Sequence, residues 1–315
     1  MKSADNLFDK HRGGMTQIQK TISPFAWLLL LALSLIWGGS FLSVHVALEE
    51  IGPLTAVAHR TGWAMVILWA YILIWRLPIP RDPRIWFAFL VMGLLNNVVP
   101  FSLMAWAQLH IETGLTAILN ATTAIFGVIF AAIFFVDEKL SWRKAIGVSF
   151  GFAGVATAIG LSYLASFDLR SIAQLAVIAG TMSYALAGVW ARKTLGGLRP
   201  QVAAAGMVTG ASLVAIPMAW VVEGPISLDL RPSTWAAIAY YAIVATAVAY
   251  LLYYKVLALA GSGNLMLVTL TVAPVAIVLG AVTLGEALPL NAYIGFGLLA
   301  VGLLILNGRF GSRPK

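Results

Sequence analysis

Long apolar runs separated by short polar connections set the pattern of this chain. Ten stretches have the length and apolarity of a membrane-spanning helix, at about 24–45, 53–75, 85–108, 113–136, 141–163, 171–191, 200–222, 233–256, 263–285 and 288–308. Each is close to the ~20 residues that a helix needs to cross the hydrocarbon of a bilayer. The connections carry glycine, proline and charge, as in Leu77-Pro78-Ile79-Pro80-Arg81-Asp82-Pro83 and Leu195-Gly196-Gly197-Leu198-Arg199-Pro200. No room remains for a separate soluble domain.

The pattern occurs twice. Shifted by 148 residues, Leu109–Gly160 returns at Leu257–Gly308. Matches of aliphatic residues arise easily by chance. Glu138/Glu286, Ile146-Gly147/Ile294-Gly295, Gly154/Gly302 and Gly160/Gly308 carry more weight. A repeat of this length fixes architecture before any local detail. The chain divides into a polar tail (1–23), a five-helix repeat (24–163), a second five-helix repeat (170–308) and a short tail (309–315). Five is odd, so the second repeat enters the membrane from the side opposite to the first. The expected fold is all-α, ten transmembrane helices in two inverted repeats, an arrangement that gives inward-open and outward-open packings similar energies.

Charge orients the bundle. With the N-terminus inside, seventeen of the twenty Lys and Arg fall in the inner connections and tails. Arg170 and Arg231 lie outside, and Arg60 lies within a helix. Basic residues concentrate on the cytoplasmic side of membrane proteins, so both termini are expected in the cytoplasm and the chain in the plasma or inner membrane. Composition agrees. The chain is 61% hydrophobic and 10% charged, against ~25% charged in soluble domains. The net charge of +8 is spread over short loops and forms no basic face for nucleic acid. There is no cysteine, hence no disulfide and no thiolate metal site.

Several motifs together resemble a known family. Trp37-Gly38-Gly39-Ser40-Phe41 in the first helix, Arg60 early in the second, and the acidic, then glycine-rich hairpins at Asp137-Glu138 and Gly285-Glu286 are similar to those of EamA-type transporters of the drug/metabolite transporter superfamily. The resemblance covers about residues 25–308. It implies a ten-helix secondary carrier with a central cavity, often an exporter of amino acids or other metabolites. In this family both repeats usually carry a proline midway along the fourth-helix position. Pro274 fits in the second repeat, whereas Ala124 and Phe126 stand in the first. The fourth helix is therefore expected to be straighter than the ninth.

Polar groups inside hydrocarbon need a partner, so each is a candidate site. Arg60 can meet an anionic group such as a carboxylate in a fork geometry; pairing with an acid from another helix is the alternative. His59, next to it, is a candidate proton-coupling group. Asn96 and Asn97 lie midway along the third helix just before Pro100, where a kink would present polar groups; they line a cavity or bond helices together. Asn120 and Thr123 in the fourth helix, with Thr271 at the position equivalent to Thr123, are candidate cavity residues, as are Ser40, Trp37, its counterpart Tyr184, and Tyr250. Glu138 and Glu286 precede new helix starts at Ser141 and Pro289, where a carboxylate favours the helix N-terminus. The glycines of the fifth and tenth helices allow close backbone contact and read as scaffold, with a homodimer face, which the family resemblance implies, as the alternative.

No catalytic constellation, P-loop or His/acid metal cluster is present in the sequence. No cofactor is expected. The reading is a secondary transporter of a small metabolite, an amino acid or a drug-like amphiphile, working outward by alternating access. A lipid flippase, a channel or a lipid-modifying enzyme is the alternative. The expected partners are the small-molecule substrate and the lipid bilayer.

Overall fold

The computed structural model describes residues 22–111, 113–168, 171–284 and 289–307. All regular structure in these residues is helical. The helices are α1 (Pro24–Leu48), α2 (Pro53–Ile74), α3 (Pro83–Ala107), α4 (in two pieces, Thr113–Ala121 and Thr123–Phe134), α5 (Trp142–Ile159), α6 (Ile172–Thr194), α7 (Pro200–Glu223), α8 (Pro232–Leu265), α9 (Val268–Leu284) and α10 (Leu290–Asn307). Seven are long and apolar enough to cross a membrane: α1, α2, α3, α4, α6, α7 and α8. Leu290–Leu306 is a shorter apolar helix. Glu286 and its neighbours 285–288 lie outside the described residues, so the reading of that carboxylate has no structural counterpart.

The starts of the helices follow from local chemistry. Pro24, Pro53, Pro83, Pro200 and Pro232 each open a helix, where a fixed φ and a missing N–H do no harm. The Ser23 and Ser141 hydroxyls accept from the free amides of Ala26 and Lys144 at 3.2 Å each, and Asp82 accepts from Arg84 at 2.8 Å. The outer surface of the bundle is apolar, with Leu28, Leu42, Val66, Leu73, Ile133, Leu213 and Val221 exposed. Such a surface suits hydrocarbon and would aggregate in water.

Two pairs of helices at equivalent positions of the two halves, α2 with α7 and α5 with α10, touch and run antiparallel. In the α2–α7 pair, Gly52 lies against Glu223, Gly62 against Ile216, and Trp69 Nε1 donates to Thr209 Oγ1 at 2.8 Å. In the α5–α10 pair, Gly147 meets Gly302 and Leu306, and Gly154 meets Gly295 and Leu299. The other contacts exchange in the same way: α1 packs on α9 as α6 packs on α4, and α3 on α7 as α8 on α2.

One expectation holds and two need correction. The close backbone contact expected of the glycines of α5 and α10 forms within the chain, at Gly147, Gly154, Gly295 and Gly302, while Gly297 faces open space. A Cβ on Gly154 would lie 2.5 Å from Leu299 N, and one on Gly295 2.4 Å from Ala158 N, so these backbones already touch. The fourth helix, expected straight for want of a proline, is the interrupted one. At Thr122 the backbone N–H bonds to Leu119 O at 3.0 Å in a tighter turn, while the Thr122 and Thr123 hydroxyls take the carbonyls of Leu119 (2.6 Å) and Asn120 (2.7 Å). Hydroxyls that compete for backbone carbonyls bend and locally weaken a helix. α9, in contrast, runs on through Pro274. The eighth helix runs past 256 as far as a break at Gly261 (φ 81°, ψ 173°), beyond which a separate helical turn continues to Leu265. Lys255, counted among the inner connections, is therefore helical.

Candidate functional site

A cavity of about 130 Å³ lies where α1, α2, α3, α4, α6, α8 and α9 converge. One water needs ~10–15 Å³ of such space, so the cavity has room for a small organic molecule. Both halves build the wall. Trp37 and Ser40 enter from α1, Arg60 from α2, Asn96 and Phe101 from α3, and Asn120 and Thr123 from α4. Tyr184 comes from α6, Tyr241, Tyr250 and Tyr253 from α8, and Val268, Thr269 and Val272 from α9.

Two stretches of π-helix shape this wall. The wider turn of a π-helix frees backbone carbonyls from their usual partners and often marks a functional site. In α8, Tyr240–Val248 is π-helical. Thr246 Oγ1 donates to Tyr241 O at 2.6 Å, and Ala245 O accepts from Trp37 Nε1 at 3.0 Å and from Arg60 Nη2 at 3.3 Å. The Trp-Gly-Gly-Ser segment of α1 fits here: Tyr240 packs over Gly39 and its hydroxyl donates to Ile36 O at 2.9 Å, where a Cβ on Gly39 would lie 2.5 Å from that oxygen. In α3, Leu94–Val98 is π-helical just before Pro100, and the hydroxyl of Ser183 donates to the carbonyl of Leu95 at 2.7 Å. The break foreseen at Pro100 thus takes the form of a widened turn, and it turns Asn96 toward the cavity.

Arg60 dominates the electrostatics. It is 9% exposed. Its Nε donates to Thr246 Oγ1 at 2.9 Å, and the guanidinium lies over the Phe101 ring, 4.0 Å from its centroid. Among the described residues no carboxylate lies within ion-pair distance of it. The alternative of an acidic partner on another helix is thereby removed for those residues. Further polar atoms of the wall lack a partner as well: Asn120 Oδ1, Gln108 Oε1, Tyr241 Oη and Tyr253 Oη. Buried polar atoms are nearly always bonded to protein, water or ligand. Their concentration around one cavity therefore points to an occupant that supplies partners.

Of the residues singled out in the sequence, Trp37, Ser40, Arg60, Asn96, Asn120, Thr123, Tyr184 and Tyr250 come together on this wall. Asn97 does not. It sits about 100° around the helix from Asn96, wholly buried, and its Oδ1 accepts from the Tyr250 hydroxyl, so it positions a wall residue. Thr271 turns away too: its hydroxyl meets Ser34 Oγ at 2.5 Å and Val268 O at 2.9 Å, joining α9 to α1. His59 lies on the other side of α2, against Trp63 and Trp235, with Nδ1 accepting from Trp63 Nε1 at 3.3 Å and Nε2 unpartnered. Phe101, Met104, Gln108 and Met266 are wall residues that sequence reasoning missed. Gln108, a polar residue at the end of an apolar run, offered the only usable signal.

Past Met266 of the cavity wall lies an ion-paired cluster. Met266 packs into Gly127 of α4 and Gly188 of α6. Beyond it, Glu138 is 3% exposed and meets Arg192 Nη1 at 2.5 Å, while Asp137 meets Nη2 at 2.6 Å. Glu138 also accepts from the backbone amides of Ser262 (3.1 Å) and Gly263 (3.0 Å), just past the break at Gly261. The carboxylate therefore does cap a helix start, but in α8 and not in α5, which Ser141 caps.

A family model described as EamA-like transporter family matches residues 24–160 and 171–308. The chain belongs to the EamA-like transporter family. Within this family's reach, it is 26% identical over 300 residues to a probable terminal-alkyne amino-acid exporter of Streptantibioticus cattleyicolor, covering 93% of this chain and 97% of that protein. It is 19% identical to the uncharacterized transporter YoaV of Bacillus subtilis over 90% of this chain and 97% of the relative. A crystal structure at 18% identity superposes with a TM-score of 0.75, covering 91% of this chain and 99% of the other. These likenesses establish an EamA two-repeat fold and a multi-pass membrane transporter.

Proposed function

We propose that this EamA-family chain is a ten-helix secondary transporter of a small carboxylate-bearing metabolite, working as an exporter by alternating access. The repeats (24–163 and 170–308) are inverted in the membrane, and both termini are cytoplasmic. The reading is carried by one observation: Arg60 is a buried cation without an acidic partner among the described residues, on a wall that both halves supply. A carboxylate would accept from the guanidinium in charge-assisted bonds, about twice as strong as neutral ones. Antiparallel contact between equivalent helices supports inversion, since halves related by an axis in the membrane plane must place those helices in opposite directions. With the N-terminus inside, the Glu138 cluster lies on the cytoplasmic side. The likeness to an amino-acid exporter favours a solute of that size.

The test is counterflow in proteoliposomes. Exchange of labelled for unlabelled solute should saturate, and linear, non-saturating flux rejects a carrier. The chain has no cysteine, so single cysteines at Asp137 and Asp229 report topology directly. They should label from opposite faces; labelling from the same face removes the inverted arrangement.

A further inference from the structure

We propose that the cavity selects solutes of net negative charge. The favoured ligand places a carboxylate at Arg60 and a neutral hydrogen-bond donor beside it, as in a 2-hydroxy or N-acyl acid. The zwitterion with the same side chain is disfavoured. This deepens the transport reading and rests on it for its biological meaning.

The charge inventory carries the argument. Arg60 is the one ionised side chain on the wall as described. Glu49 and Glu50 face Arg231, Asp137 and Glu138 face Arg192, Glu223 accepts from the first amides of α2, and Asp82 caps α3. None of the described acids lines the cavity. A monoanion therefore brings the site to neutrality. A zwitterion carries its own compensating charge, so the site keeps its excess of one positive charge. Its ammonium group must also leave water for neutral oxygens near a fixed cation. A buried charge without a counter-charge is costly.

The unpartnered atoms select the second feature. Asn120 Oδ1 and Gln108 Oε1 are acceptors, and a hydroxyl or amide N–H satisfies an acceptor without adding charge. The hydroxyls of Tyr241 and Tyr253, also unpartnered, can donate or accept. The remaining wall is aromatic and aliphatic and suits an apolar side chain.

The experiment uses the purified full-length protein and matched pairs of acids near neutral pH: lactate and alanine, 2-hydroxyisocaproate and leucine, 3-phenyllactate and phenylalanine. Equilibrium binding should favour the hydroxy acid at least about tenfold in the tightest pair, equal to about 1.4 kcal/mol. Arg60→Gln should erase that preference. Asn120→Asp, which adds the missing counter-charge, should reverse it toward the amino acid; Gln108→Glu makes the same test if that variant fails to fold. The proposal is overturned if the amino acid binds as tightly as its hydroxy partner in every pair, or if no member of any pair binds. Counterflow is scored separately. Hydroxy-acid binding with linear flux would leave charge selection standing and remove the carrier.

Discussion

Glu138 and Arg60 are both buried charges contributed by the first half, and they sit in opposite circumstances. Around Glu138 the chain supplies everything: a guanidinium, two backbone amides and the Ser262 hydroxyl at 3.1 Å. Around Arg60 it supplies a threonine oxygen, one peptide carbonyl and the face of a ring, with no counter-charge among the described residues. The first region is complete without a ligand, and the second is not. Burial alone therefore does not mark a binding site. What marks it is burial with unmet demand.

The sharpest way to break this comparison is Glu138→Ala. Arg192 keeps Asp137, but the buried amides of Ser262 and Gly263 lose their acceptor, and stability should fall by about 3 kcal/mol, read as lost thermal stability in detergent. A loss below about 1 kcal/mol would mean that the cluster is ornamental. Arg60→Gln should behave the other way. Stability should change by no more than about 1 kcal/mol, since no ion pair is lost, while transport falls at least about 30-fold, the equivalent of about 2 kcal/mol. If its stability fell as far as that of Glu138→Ala, the contrast between the two charges would disappear.

Gly263→Ala sharpens the Glu138 side. Its Cβ would stand 2.6 Å from Glu138 Oε2, and forcing the carboxylate aside should cost about 1–3 kcal/mol. In a Glu138→Ala background the same change should cost much less, because neighbouring effects are not additive. The smallest effect belongs to Glu50. Its carboxyl is held below the usual carboxylate range, first by the Thr234 hydroxyl and then by Arg231. A lowered folded-state pKa contributes stability above the unfolded value, lost as pH falls through the folded value. The parent should therefore lose slightly more melting temperature on acidification from pH near 6 to below about 4 than Glu50→Gln does. Equal losses would show that this contact contributes nothing.

Much of the fold was legible because its signals are local. Apolar runs announce helices, prolines and caps announce their starts, and the family follows from a repeat spread along the chain. Arg60 was legible for a related reason, since a charge within an apolar run is conspicuous wherever it points. The Glu138 cluster was half legible: the sequence shows a carboxylate near a helix start, but its amide partners come from a break more than a hundred residues away. Tyr241, Tyr253, Phe101 and Met266 were harder, because an aromatic or aliphatic side chain looks the same whether it faces lipid, core or cavity. Asn96 and Asn97 differ by one position and take different roles, which depends on where a widened turn falls. Propensity does not locate such a turn.

The glycine contact between α5 and α10 has a mechanical consequence. Backbones that already touch at Gly154 and Gly295 leave no slack for one rod to slide or roll against the other. In the proposed alternating-access cycle the pair would serve as a fixed post, with the swing between end states pivoting on the neighbouring joints. A larger side chain at either glycine would force the two rods apart and loosen that post.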